Sequence, residues 1–134
     1  MRDFITRYLV SGVMFALVDF VWLTFIANKF YRSQIGPLLL DKPNIPAAVL
    51  FYLIFLVGVV VFVVNPALAS GGWKAALGLG ALFGFVTYAT FDLTNLAVLK
   101  NYTVTMAVVD MLWGTILTAT VGTLAVLIVQ KFFA

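Results

Sequence analysis

Apolar positions fall in four long blocks, at residues 8–28, 47–65, 75–99 and 103–130. Each is near or beyond the roughly 20 residues that a helix needs to cross the hydrocarbon of a bilayer. The pattern therefore predicts four spanning helices. Arg7 and Lys29 bracket the first block, which holds a single charge, Asp19; the second is free of charge; the third carries Asp92 and the fourth Asp110. Pro46 stands where a first-turn proline is tolerated, and Pro66 is expected to end the second helix. The one long connection is 29–46, where Gly36-Pro37, Pro43 and Pro46 argue for a loop, with Ile35 and Leu38-Leu39-Leu40 dipping into the membrane interface. Connections at 65–72 and 100–102 are short, which favours an antiparallel up-and-down bundle with both termini on one side. The first block is longer than the apolar core of a signal peptide and contains Asp19 and Trp22, so it reads as a retained span.

Composition agrees with the pattern. The chain has 134 residues, 64% hydrophobic and only 10% charged, with a mean hydropathy of +1.15. A soluble domain carries roughly 25% charged residues, so the expected class is an all-α integral membrane protein, one four-transmembrane-helix domain whose first partner is the lipid bilayer. Histidine, cysteine and glutamate are absent. That removes disulfides, thiolate chemistry, His-bound metals and His-based triads, and no cofactor or metal is expected. The net charge of +3 suits interfacial lysines beside anionic lipid, so no nucleic-acid partner is expected. Arg2, Arg7, Lys74 and Lys131 on one side balance Lys29, Arg32, Lys42 and Lys100 on the other. The positive-inside rule is tied, and Arg2 and Arg7 ahead of the first helix incline the termini to the cytoplasm.

Charges inside spans are costly and usually face the bundle interior or a cavity. Asp19 lies ten residues before Lys29, Asp92 eight before Lys100, and Asp110 ten after it. At 1.5 Å per residue all three fall roughly 12–15 Å below the same surface, in one acidic layer. Residues four apart share a helix face. The ladder through Ala76, Gly80, Gly84, Tyr88, Asp92 and on to Asn95, and the ladder Asp110, Gly114, Thr118, Gly122, each set an aspartate on a stripe of small residues, the kind that lets membrane helices pack closely. Ala16-Leu17-Val18-Asp19-Phe20-Val21-Trp22 aligns without gaps to Ala107-Val108-Val109-Asp110-Met111-Leu112-Trp113, by internal duplication or by chance. Trp22 and Trp113 lie too deep for the interfacial aromatic belt and are expected to pack on the carboxylates, whereas Trp73 is the belt residue. No Lys or Arg lies within the spans, though Lys29, Arg32 and Lys100 can snorkel inward. The expected ligand-binding layer is Asp19, Asp92, Asn95, Asp110, Trp22, Trp113 and Tyr88. Buried aspartates can equally serve only to fasten helices together.

Asp19-x-x-Trp22-Leu23, Phe51-Tyr52, Pro66-Ala67-Leu68 with Gly71, Tyr88-x-x-Phe91-Asp92-Leu93-Thr94-Asn95-x-Ala97 and Val109-Asp110-x-x-Trp113-Gly114-Thr115 occur in this order along the chain. In these motifs the sequence resembles the DUF2177 family of small bacterial membrane proteins. The resemblance implies four helices and a bacterial cytoplasmic membrane, and carries no catalytic residue with it. Where that family often has Trp-Pro, this chain reads Tyr102-Thr103.

Three functions are compatible with the acidic, aromatic layer. It can bind or transport a proton, a cation, or a cationic or lipid-like amphiphile; a transporter of four helices would work as a homodimer. It can be a lipid-modifying enzyme that uses two carboxylates as acid and base, although no nucleophile or metal motif accompanies them. Or the small-residue faces can pack against another membrane protein, making the chain a structural subunit.

Overall fold

The computed structural model describes residues 2–40 and 42–133. Among them all regular structure is helical, and four helices are long and apolar enough to span a membrane: α1 (Arg2–Leu38), α2 (Ile45–Ala69), α3 (Gly72–Val98) and α4 (Val104–Phe132). The protein is an all-α membrane protein built as an up-and-down bundle. The α3–α4 pair is its tightest unit, α1 packs chiefly on α4, and α2 lies against α3 through its second half.

The small-residue ladders explain that pair. The buried residues of α3 are Ala76, Gly80, Gly84 and Asp92, and Asp110, Gly114, Thr118 and Gly122 are all buried on α4. A Cβ on Gly80 would stand 2.7 Å from the Thr118 carbonyl oxygen, and one on Gly84 would strike the Gly114 carbonyl oxygen. Only glycine permits backbones to approach so closely. Val59, Val63, Val64, Leu117, Val121 and Val126 fill the core toward the termini. Arg7 there donates to the Asn65 side chain at 2.7 Å, tying α1 to α2.

The first helix departs from the sequence expectation. It does not stop at residue 28; the predicted loop over 29–46 is helical as far as Leu38, because Gly36-Pro37 breaks the chain only after a further stretch of helix, Asn28–Ile35, has formed. Lys29 marks where the apolar surface ends, not where the helix ends. A π-helical turn at Leu23–Ala27 separates the two parts. Positions four apart drift about 40° per step around a 3.6-residue helix, and the extra residue of a π turn takes that drift back. Asp19 and Trp22 before the turn, Ala27 at its end and Ile35 beyond it are thereby all buried.

Pro66 likewise does not end α2. A second π turn at Val60–Val64 precedes it, the Asn65 N–H reaches back to the Val60 carbonyl, and Pro66 enters the first turn of a new helical piece, Asn65–Ala69. There its missing N–H costs nothing. The turn into α3 is made by Gly71 and Gly72, with φ of 94° and 60°, a left-handed conformation that glycine adopts without strain. The α4 helix begins at Val104, where the Thr103 hydroxyl accepts from the Met106 N–H at 3.0 Å as a cap.

Candidate functional site

The three spanning aspartates converge, but not equivalently. Tyr88 lies within electrostatic range of all of them. Asp19 and Asp110 line a cavity of about 460 Å³, bounded by Trp22, Leu23 and Tyr31 of α1, Phe51 and Tyr52 of α2, Thr87, Tyr88 and Phe91 of α3, and Trp113 of α4. Of the residues predicted from sequence, Asp19, Asp110, Trp22, Trp113 and Tyr88 thus share one chamber. Asp92 and Asn95 do not line it. Asp92 sits behind the wall, fully buried, within hydrogen-bond reach of Asp110, and Asn95 lies beside Tyr102. The inward face of α3 is the one its four-residue ladder defines, but that face is wide: its Tyr88 end meets the cavity and its Asp92 end meets Tyr102, just ahead of α4.

Each carboxylate has a tyrosine. Tyr31 donates to Asp110 Oδ1 at 2.7 Å, Tyr102 to Asp92 Oδ1 at 2.6 Å, and Tyr52 to Asp19 Oδ2 at 3.3 Å. Sequence reasoning missed all three tyrosines as site residues. Tyr31 fell in a supposed loop, yet helical side chains lean toward the N-terminus, and from the extended end of α1 it reaches back into the bundle. Tyr102 fell in a short connection; it is buried with Ile35, Met106 and Ala107. Burial, then its bond to Asp92, pushes the Tyr102 phenol above its ordinary range. Phe51-Tyr52 was visible only as part of a family motif. Thr103 adds a clasp, donating to the Gln34 side chain at 2.7 Å, so the end of α1 is held over the start of α4.

The tryptophans form the floor between α1 and α4. Trp22 and Trp113 stack with centroids 4.3 Å apart, and the Trp22 indole donates to the Tyr31 hydroxyl at 3.1 Å. Trp113 lies within hydrogen-bond reach of Asp19. Trp73 is exposed at the start of α3. Lys29, Arg32 and Lys100 are exposed and do not turn inward; Arg32 donates to Asn28 on its own helix at 3.0 Å.

One side of the chamber faces outward. The α2 helix approaches α3 closely through its second half but not through Ile45–Val59. Phe55, stacked 5.5 Å from Phe83 and edge-on to Tyr88 at 6.4 Å, bridges part of the gap. The lining residues Leu23, Phe51 and Phe91 are 48%, 45% and 57% exposed, on surfaces that in a spanning bundle meet lipid. The opening is apolar, and the acidic groups lie inside it.

Fold and site together define a small four-helix membrane protein with an acidic, aromatic-walled cavity in its interior. The chain belongs to the DUF2177 family: the family model described as "Predicted membrane protein (DUF2177)" matches residues 4–127. No curated protein and no solved structure matches it.

Proposed function

We propose that the cavity binds a cationic, amphiphilic small molecule that enters it from the bilayer of a bacterial cytoplasmic membrane. The observation that carries this reading is the lining: two carboxylates and no Lys or Arg among the residues of the wall, set behind an apolar opening. Ring faces attract cations by about 0.5–2 kcal/mol, the upper value when desolvated, and Trp22, Trp113, Tyr31, Tyr52 and Tyr88 surround the acids. The volume falls within the range of about 300–1,000 Å³ typical of small-molecule sites. An amphiphile partitions its apolar part into lipid, so a lateral opening is its natural entrance.

Native mass spectra of the gently extracted protein with tetraphenylphosphonium, a permanently charged lipophilic cation, test the reading. The expected result is a one-to-one adduct with the wild type that disappears in Asp110→Asn. Equal adducts on both proteins, or none on either, overturn it.

A further inference from the structure

Asp92 is fully buried and only one of its oxygens is satisfied. Tyr102 donates to Oδ1, while Oδ2 meets no hydrogen-bond partner among the described residues. The group within hydrogen-bond reach on the adjoining helix is the Asp110 carboxyl. Ionised carboxylates only accept, so two of them leave Oδ2 without a donor, and an unmatched buried oxygen is costly.

Other groups around the pair do not supply that donor. From α1, Tyr31 donates to Asp110 and itself accepts from Trp22. Between α3 and α4, Tyr102 is committed to Asp92, with Asn95 beside it. On α3, Tyr88 is within electrostatic range but hydrogen-bonds neither carboxyl, and its ring packs on Gly114. From α2, Tyr52 donates to Asp19, the third carboxyl, which lies within electrostatic range of Asp110 across the cavity. Lys29, Arg32 and Lys100 are exposed.

We infer that Asp92 and Asp110 hold one proton between them, and that a cation seated at Asp110 releases this proton to water. The shared proton stands on the unmatched buried oxygen and the neighbouring Asp110 carboxyl; its exchange rests on the cation reading of the cavity. In the exchange the carboxyl O–H bond breaks, the proton leaves by way of the cavity, and the cation replaces its charge. The site is then a proton–cation exchanger, with Asp110 on the open side and Asp92 behind it.

Infrared difference spectroscopy of the full chain in lipid, with and without tetraphenylphosphonium, tests both halves. A protonated-carboxyl band is expected in the ligand-free protein at neutral pH. It should be absent in Asp92→Asn and in Asp110→Asn, and vanish in the wild type when the cation binds. No such band, or one that survives in both variants, overturns the shared proton. A band that depends on Asp92 but ignores a bound cation overturns the exchange and leaves the binding reading intact; no bound cation at all overturns the binding reading and leaves the proton pair. Should the Asn variants fail to fold, Tyr102→Phe and Tyr31→Phe keep both carboxyls and each must shift the band by removing a donor. An unmoved band in both again overturns the pair.

Discussion

Trp22 of α1 and Trp113 of α4 stack on each other where the two helices meet. The indole of α1 donates through Tyr31 to Asp110 of α4, and the indole of α4 lies within reach of Asp19 of α1, the two rings stacked 4.3 Å apart with planes inclined by 8°. The two segments that align without gaps in the sequence thus meet face to face.

This arrangement makes the pair a reporter. A lipophilic cation entering the chamber contacts Trp22 and Trp113, whereas Trp73 is exposed at the far end of α3. Titration with tetraphenylphosphonium should quench tryptophan emission, and the quench should persist undiminished in Trp73→Phe. Quenching that resides in Trp73 would contradict the position of the site.

Close approach of α3 and α4 sets the stability of the bundle. A methyl group on Gly84 meets the Gly114 carbonyl and Thr118, and one on Gly114 meets the Tyr88 ring, whereas one on Gly78 meets nothing within 4 Å. Gly84→Ala and Gly114→Ala should each cost about 1–3 kcal/mol by overpacking. Gly78→Ala should be neutral or stabilising by up to about 1 kcal/mol. Thermal unfolding in detergent, run on the three variants side by side, measures the difference.

Tyr31 fastens the outer part of α1 to the interior. Tyr31→Phe removes its bond to Asp110 and the acceptor of Trp22, at a cost of about 1–3 kcal/mol for leaving buried polar groups unmatched. Amide exchange should quicken over residues 28–38 and stay unchanged along α3. Thr103→Ala removes the Gln34 clasp and the α4 cap; a loss of about 1 kcal/mol is expected.

The Tyr102 phenol gives a pH dependence of known sign. In the unfolded chain it ionises near 10, while burial and the bond to Asp92 keep it neutral to higher pH in the folded protein. The folded state then binds more protons than the unfolded one above that point, so stability falls as pH rises past 10. Melting temperatures at about pH 9 and about pH 11 should differ less in Tyr102→Phe than in the wild type.

The bundle and its inward faces were legible in the sequence because spacing alone determines them: Ala76, Gly80, Gly84 and Asp92 follow from a four-residue ladder, as do Asp110, Gly114, Thr118 and Gly122. Depth arithmetic brought the aspartates together for the same reason. What spacing does not report is where a helix ends once it leaves the apolar layer. Lys29 and Arg32 looked like the edge of a loop although the backbone stays helical past them, and Tyr31 was lost with them. Nor does spacing report a π turn, whose extra residue changes which side chains return to the core; Ala27 and Ile35 depend on it. Asp92 lies on the expected face and near Asp110, but behind the cavity wall and bonded to Tyr102, because its place depends on how far α3 and α4 slide along each other before their glycines lock.

The α1 helix is 37 residues long, about 55 Å at 1.5 Å per residue, against about 30 Å of hydrocarbon. A rod of that length must tilt steeply or project from the membrane, and its outer segment carries Lys29 and Arg32. Tyr31 sits on this projecting segment yet ends on Asp110. The outer end of α1 and a buried acid of α4 are therefore joined by a single phenol, so the membrane surface and the interior of the bundle are one hydrogen bond apart.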